Sequence, residues 1–288
     1  MKTFLIKAFL AFTMTVSILT ATITAAAPLT VTLSPAMPPL SFVNSAGEAD
    51  GLLVDFWKEW GEQADREIIF KLQSWCNTIS DTVAGKSDIH SGLFYSEKRA
   101  RQLLFADYIF PMEAALFAPN KLIEDNKIDL QKYSCGLVKG GFGKEFISRR
   151  YPYTHLTIFN SIADLFEAVR EGRISLFLMD YPVGIWQLEK MGLADSFGCY
   201  KKLYKRNLYP AVSKNNPGLI KVINLNMAAI PYKKKKTTIS KWLSVPTTSQ
   251  HHRTIAGVLA GLVFVLMVIF HRNEIKTMAQ TVKNKFSA

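Results

Sequence analysis

The sequence predicts an α/β protein of two lobes with parallel-rich sheets, preceded by an export signal and followed by one membrane helix. Three observations predict it. Strand-like and helix-like segments alternate in two successive runs, which implies parallel strands covered by helices. The first residues combine a positive start, an apolar middle and a small-residue end. Near the other end an uncharged apolar stretch is long enough to span a bilayer.

The elements follow in chain order. Residues 1–27 read as a signal peptide: Lys2 and Lys7 flank an apolar run, and Ala25 to Ala27 supply an A-x-A cleavage site. Leu29 to Leu33 (LTVTL) alternates as a strand, and the prolines at 35, 38 and 39 make the next stretch a loop. Leu52 to Ala64 carries apolar residues at helical spacing after Asp50 and Gly51. Ile68 to Leu72 is a strand, Asn77 to Ala84 a helix ending at Gly85, and Asp88 to Leu93 a strand. The pattern then restarts. Ser134 to Val138 is a strand, and a glycine-rich loop through Gly143 leads into a helix through Arg149. Thr154 to Phe159, Ile162 to Arg170 and Ile174 to Met179 give strand, helix and strand. Two such units predict lobe 1 at 28–118, lobe 2 at 119–207 and a return to lobe 1 at 208–247, with a ligand cleft between them.

Residues 254–271 read as the transmembrane helix and 272–288 as a short cytoplasmic tail. Gly257 and Gly261 form a G-x-x-x-G pair through which two such helices can dimerise. Lys and Arg outside the helix are at least as numerous as those in the tail, so the exported N-terminus sets this orientation, not the positive-inside rule. The net charge of +12 is scattered apart from Lys233 to Lys236, with no zinc-finger or RNP-like motif, so nucleic-acid binding is set aside. That lysine run lies shortly before the membrane helix and faces head groups or solvent. No cofactor or metal is expected: Cys76, Cys135 and Cys199 lack ligand spacing. In an oxidising compartment Cys135 and Cys199, both in the predicted second lobe, are the expected pair, with Cys76 free.

Several motifs, in order, carry a resemblance. Pro39–Phe42 (PLSF) and Gly51–Asp55 (GLLVD) come first, then Gly85–Ile89 (GKSDI). Gly92–Arg99 (GLFYSEKR) and Phe105–Asp107 follow, then Lys139–Gly141 through Pro152, Gly172–Asp180 (GRISLFLMD) and Asn224–Trp242. Together, over residues 29 to 245, they resemble the family 3 extracellular solute-binding proteins. The resemblance implies a type II periplasmic-binding-protein-like fold that closes on a small molecule. It implies that Arg99 holds the ligand carboxylate through its guanidinium fork and that Asp180 holds the amino group from the other lobe. Ser96 belongs to the same turn as Arg99. Phe42, Trp75 and Phe94 are candidate aromatic walls. Gly141 and Phe142 open a helix whose backbone N–H groups suit an anion. Phe142 stands where the family often has threonine, Phe94 replaces a small hydroxyl residue, and Tyr108-Ile109 replaces Pro-Tyr. These departures remove hydroxyl donors and point to a more apolar, aromatic-lined pocket.

The expected function is therefore a non-enzymatic periplasmic binding or sensor module for a small carboxylate-bearing solute, amino acid or related, tethered at the inner membrane and working with a signalling or transporter partner. The alternatives are a tethered substrate-binding subunit of an ABC importer and, in a different class, a periplasmic dehydratase of the cyclohexadienyl type. The last would need a general acid, for which Asp180 or Glu113 are the candidates. Serine-hydrolase and HExxH motifs are absent.

Overall fold

The computed structural model describes residues 26–126 and 128–243. The leader up to residue 25, the apolar segment 254–271 with its glycine pair, and the tail lie outside the described residues. Within them no helix is long and apolar enough to cross a membrane.

Lobe 1 begins with β1 (Leu29–Leu33), which the sequence pattern marks because its odd positions are apolar. A small antiparallel sheet follows: β2 (Ala36–Met37), β3 (Ser41–Val43) and β4 (Ala49–Asp50). The proline-rich stretch is thus a loop interrupted by one short strand. Helix α1 (Leu52–Ala64) starts at Gly51, whose φ of 121° is open only to glycine. A Cβ there would also lie 2.7 Å from the Leu40 carbonyl oxygen. The inner face of α1 buries Leu52, Leu53, Phe56, Trp57 and Trp60, each contributing about 1.5–3 kcal/mol. Both indoles are satisfied: Trp57 Nε1 donates to Ser91 O at 2.9 Å and Trp60 Nε1 to Ile223 O at 3.1 Å. Strand β5 (Ile68–Leu72), helix α2 (Trp75–Val83) and strand β6 (Ile89–Phe94) complete the first βαβ run. β1 lies between β5 and β6, parallel to both.

After the short helix α3 (Glu97–Ala100) and β7 (Leu103–Phe105), the chain crosses into lobe 2 along β8 (Phe110–Pro119). Lobe 2 holds α4 (Asn120–Glu124), β9 (Cys135–Val138), α5 (Phe142–Arg150) and β10 (Leu156–Phe159). Then come α6 (Ile162–Arg170), β11 (Leu176–Asp180) and α7 (Tyr181–Lys190). Helix α6 begins on a capping box, with Ser161 Oγ accepting from Asp164 N and the Asp164 carboxylate accepting from Ser161 N. Gly184 lets α7 lie against Phe117, since a Cβ there would come within 2.4 Å of the ring. Phe117 in turn stacks on Phe177 at 5.0 Å.

The long strand β12 (Phe197–Ser213) returns the chain to lobe 1, where α8 (Gly218–Ala229) and α9 (Tyr232–Leu243) close it. α9 is tied to α1: Lys241 and Trp242 Nε1 both donate to Asp55, Thr238 hydrogen-bonds Glu59, and Lys234 pairs with Glu62. β8 and β12 run antiparallel beside one another through both lobes. They join everything into one curled nine-stranded sheet, ordered β10-β9-β11-β8-β12-β6-β1-β5 with β7 on β12. The fold is α/β as the sequence predicts, but the expected parallel-rich sheets are one mixed sheet: four of its eight strand pairings are antiparallel, all of them made by β8 or β12.

The expected Cys135–Cys199 disulfide is absent, and all three cysteines are free thiols. Cys135 opens β9 and Cys199 lies on β12, so β11 and β8 stand between them. Three strand spacings amount to about 14 Å, twice the roughly 7 Å beyond which two Cα atoms cannot be bridged.

Candidate ligand-binding site

A cavity of about 350 Å³ opens where the ends of β1 and β6 in lobe 1 face α5, α6 and the end of β11 in lobe 2. Six of the residues singled out in the sequence meet there: Arg99, Asp180, Trp75, Phe94, Gly141 and Phe142. Two do not line it. Phe42 does not line the cavity and packs edge-on against Trp242 of α9, ring centroids 5.8 Å apart, while Ala36, its partner across β2, and Met37 take the cavity wall. Ser96 is the N-cap of α3, and its hydroxyl accepts from Arg99 N at 3.3 Å, so it positions the arginine from behind.

Arg99 reaches across the interlobe space. One terminal nitrogen of its guanidinium donates to Phe94 O at 2.6 Å, and the other donates to Gly140 O at 3.0 Å on the opposite lobe. Burial lowers its pKa to about 10, against the attraction of Glu145 and Asp180, which leaves it charged at neutral pH. Two carbonyls use two of its five donors, so the fork keeps N–H groups for a ligand.

Asp180 ends β11 and occupies the N-cap position of α7, yet its side chain makes no capping bond. It borders the cavity instead, and burial raises its carboxyl to about 7 in spite of the Arg99 charge. The site therefore sets one cation on lobe 1 against one acid on lobe 2.

Trp75 is held by a buried relay. Gly92 N donates to His90 Nδ1 at 3.2 Å, which leaves the His90 proton on Nε2, directed at Thr78 Oγ1 3.1 Å away. Thr78 Oγ1 donates in turn to Trp75 O at 2.6 Å. The imidazole also lies edge-on to the indole, centroids 5.5 Å apart. Burial, aided by the Arg99 charge, pulls the His90 pKa down to about 3, so the relay stays neutral.

The residue that sequence reasoning missed is Tyr204 of β12. Its ring packs against Phe94, Phe142 and Phe146 at 6.0, 5.5 and 4.5 Å, making an aromatic wall. Burial and the nearby Asp180 raise its hydroxyl pKa, so it remains protonated. Arg206, two residues on, lays its guanidinium over the Phe142 ring at 4.4 Å and bonds Tyr95 O, holding that wall from outside. Glu113, a candidate acid in the enzymatic alternative, does not line the cavity and pairs with Lys202 at 2.6 Å. Among the described residues no His/Cys/Asp/Glu cluster could hold a metal ion.

Known structures share this fold. An ancestral arginine-binding protein bound to glutamine, 19% identical, matches with a TM-score of 0.69 over 76% of this chain and 99% of its own. A histidine kinase sensor domain with similarity to periplasmic binding proteins, 21% identical, matches at 0.68 over 76% and 97%. A solute receptor for L-cysteine from Neisseria gonorrhoeae, 20% identical, matches at 0.66 over 75% and 89%. At these identities the likeness carries the bilobed fold alone. The sequence carries more, because the family model of bacterial extracellular solute-binding proteins, family 3, matches residues 29–245. This chain belongs to the bacterial extracellular solute-binding proteins of family 3.

Proposed function

We propose that the chain is a non-enzymatic periplasmic module that binds a small carboxylate-bearing solute, an amino acid or close relative, between its lobes. The C-terminal apolar segment holds it at the inner membrane, where it relays occupancy to a signalling partner. The observation that carries the reading is the pair of opposite charges, Arg99 and Asp180, bordering one cavity from opposite lobes. A zwitterion satisfies both, the carboxylate on the guanidinium and the ammonium on the aspartate, so the ligand favours the arrangement in which the lobes meet. Hydrogen bonds between the lobes include three beside the cavity among the described residues. Besides Arg99 to Gly140, they are Cys76 Sγ to Lys139 O at 3.5 Å and Gln187 Nε2 to Ala36 O at 3.4 Å.

A glutamine-bound ancestral arginine-binding protein and a receptor for L-cysteine among the similar structures support an amino-acid ligand, and a histidine kinase sensor domain among them supports the signalling role. A dehydratase needs a proton donor besides the group that clamps the substrate. In this cavity Asp180 is the one carboxylate among the described residues, and the ammonium claims it.

The test is isothermal calorimetry and thermal unfolding of the detergent-solubilised full chain with amino acids and organic acids. A true ligand at a hundred times its dissociation constant adds about 2.7 kcal/mol of stability. Arg99→Ala must abolish that gain. A ligand that stabilises the Arg99→Ala variant as well as the parent would refute the site.

A further inference from the structure

We infer that the solute is a neutral L-α-amino acid with an apolar side chain, aliphatic, thioether or aromatic, and not a cationic or acidic one. The inference rests on the proposed zwitterion site and adds what the rest of the cavity accepts.

Of the described residues that line the cavity, Arg99 and Asp180 alone carry formal charge. The ligand's carboxylate and ammonium engage both, so a third charge on the ligand side chain finds no opposite charge. An ion buried without a counter-charge is strongly disfavoured, far more than a neutral group.

Neutral polar groups do not make up the difference. Ser41 Oγ donates to Ser34 O at 2.6 Å, Ser34 Oγ accepts from Ala36 N, and Ser161 Oγ caps α6. Ser41 has its proton committed to the chain, whereas Ser34 and Ser161, which accept, keep an O–H to donate but hold no charge to offset a ligand ion. Tyr204 presents its ring within an aromatic wall, and Arg206, which does not line the cavity, bonds the Tyr95 carbonyl. What remains adds only the neutral Ser74, Ser91 and Asn160 and is otherwise apolar: Met37, Leu40, Leu53, Trp75 and Phe142 from several elements, with Met179 beside the acid. Such a surface rewards the burial of a hydrocarbon or thioether body at roughly 25 cal/mol per Å². It offers no counter-charge to a guanidinium or a second carboxylate.

The experiment is calorimetric titration of the full chain with L-leucine, L-methionine and L-phenylalanine, set against L-arginine, L-lysine and L-glutamate. The apolar group should contain a ligand that binds at least about 100-fold more tightly than any of the charged three. Arginine, lysine or glutamate binding as tightly as the best apolar amino acid would overturn the inference while leaving the zwitterion site standing. Failure of every amino acid to bind would overturn both. A second arm adds a counter-charge. Met37→Asp, at the half-buried cavity lip, should confer lysine or arginine binding and weaken that of the apolar ligand. Ser34→Asp is the alternative should the first variant misfold, since its carboxylate can keep the bond from Ala36 N. If the parent already binds the cationic amino acids as well as these variants do, the inference falls.

Discussion

Replacing Asp180 with asparagine removes a charge that the fold disfavours, and the consequence can be worked from the structure. The carboxyl titrates at about 7 in the folded chain, raised from 3.8 by burial. Because the folded value is the higher, the protonated form stabilises the fold fully below about pH 4, and that stabilisation is lost as pH rises through about 7. At pH 8 the ionised group therefore opposes folding by about three pH units, an upper bound near 4 kcal/mol at about 1.4 kcal/mol each. Water in the cavity reduces this, so Asp180→Asn should gain about 1–3 kcal/mol at pH 8, or several degrees in Tm. At about pH 4 the gap should shrink to about 0.5 kcal/mol, since the folded carboxyl is then protonated and the unfolded one is near its ordinary pKa of 3.8. The assay is thermal unfolding of the full chain across this range, with solute binding measured beside it. The variant should be more stable at pH 8 and unable to bind. A variant no more stable than the wild type at pH 8, or a gap unchanged at pH 4, would refute the assignment of Asp180 as a desolvated acid kept for the ligand.

The same titration governs binding. A bound ammonium favours the Asp180 carboxylate, so solute binding near pH 6 to 7 should release protons and affinity should rise with pH up to about 7. Calorimetry in buffers of different ionisation enthalpy reads this directly, and a buffer-independent heat would contradict it. Gly184→Ala should cost about 1–3 kcal/mol in denaturant unfolding, because its Cβ would meet the Phe117 ring at 2.4 Å; a neutral result would mean that α7 shifts freely. Reductant should leave Tm unchanged, whereas loss of a disulfide would lower stability by about 2–4 kcal/mol.

Much of the architecture was legible because its physics is local. β1, α1, β5 and α6 fall on the residue ranges that periodicity predicts, since each has one buried face and a clear terminator. The two crossing strands were not legible. β8 (FPMEAALFAP) is buried on both faces for most of its length, so its apolar residues do not alternate. β12 slips register against β8 between Cys199 and Lys201 and again between Lys202 and Tyr204, and against β6 between Tyr209 and Ala211. Each slip breaks the period of two, and Tyr204 was lost with it. Phe42 failed for the opposite reason. Its place in the motif was read correctly, but which face of a three-residue strand turns inward is decided by α9, nearly two hundred residues later.

The way the chain enters and leaves lobe 2 has a topological consequence. Ile109 N donates to Leu208 O at 2.8 Å, so the departing and returning chain touch at the border of lobe 1. Everything between is, to lobe 1, a single hairpin loop of about one hundred residues that happens to contain its own core. The entropy of closing a loop grows only with the logarithm of its length. By that measure a hundred-residue excursion costs lobe 1 merely about 2 kcal/mol more than a ten-residue turn. Lobe 1, which carries both ends of the described chain, can thus nucleate around α1 without waiting for its companion. Lobe 2 can accumulate substitutions, and with them a different appetite, while the half that adjoins the apolar C-terminal segment stays as it is.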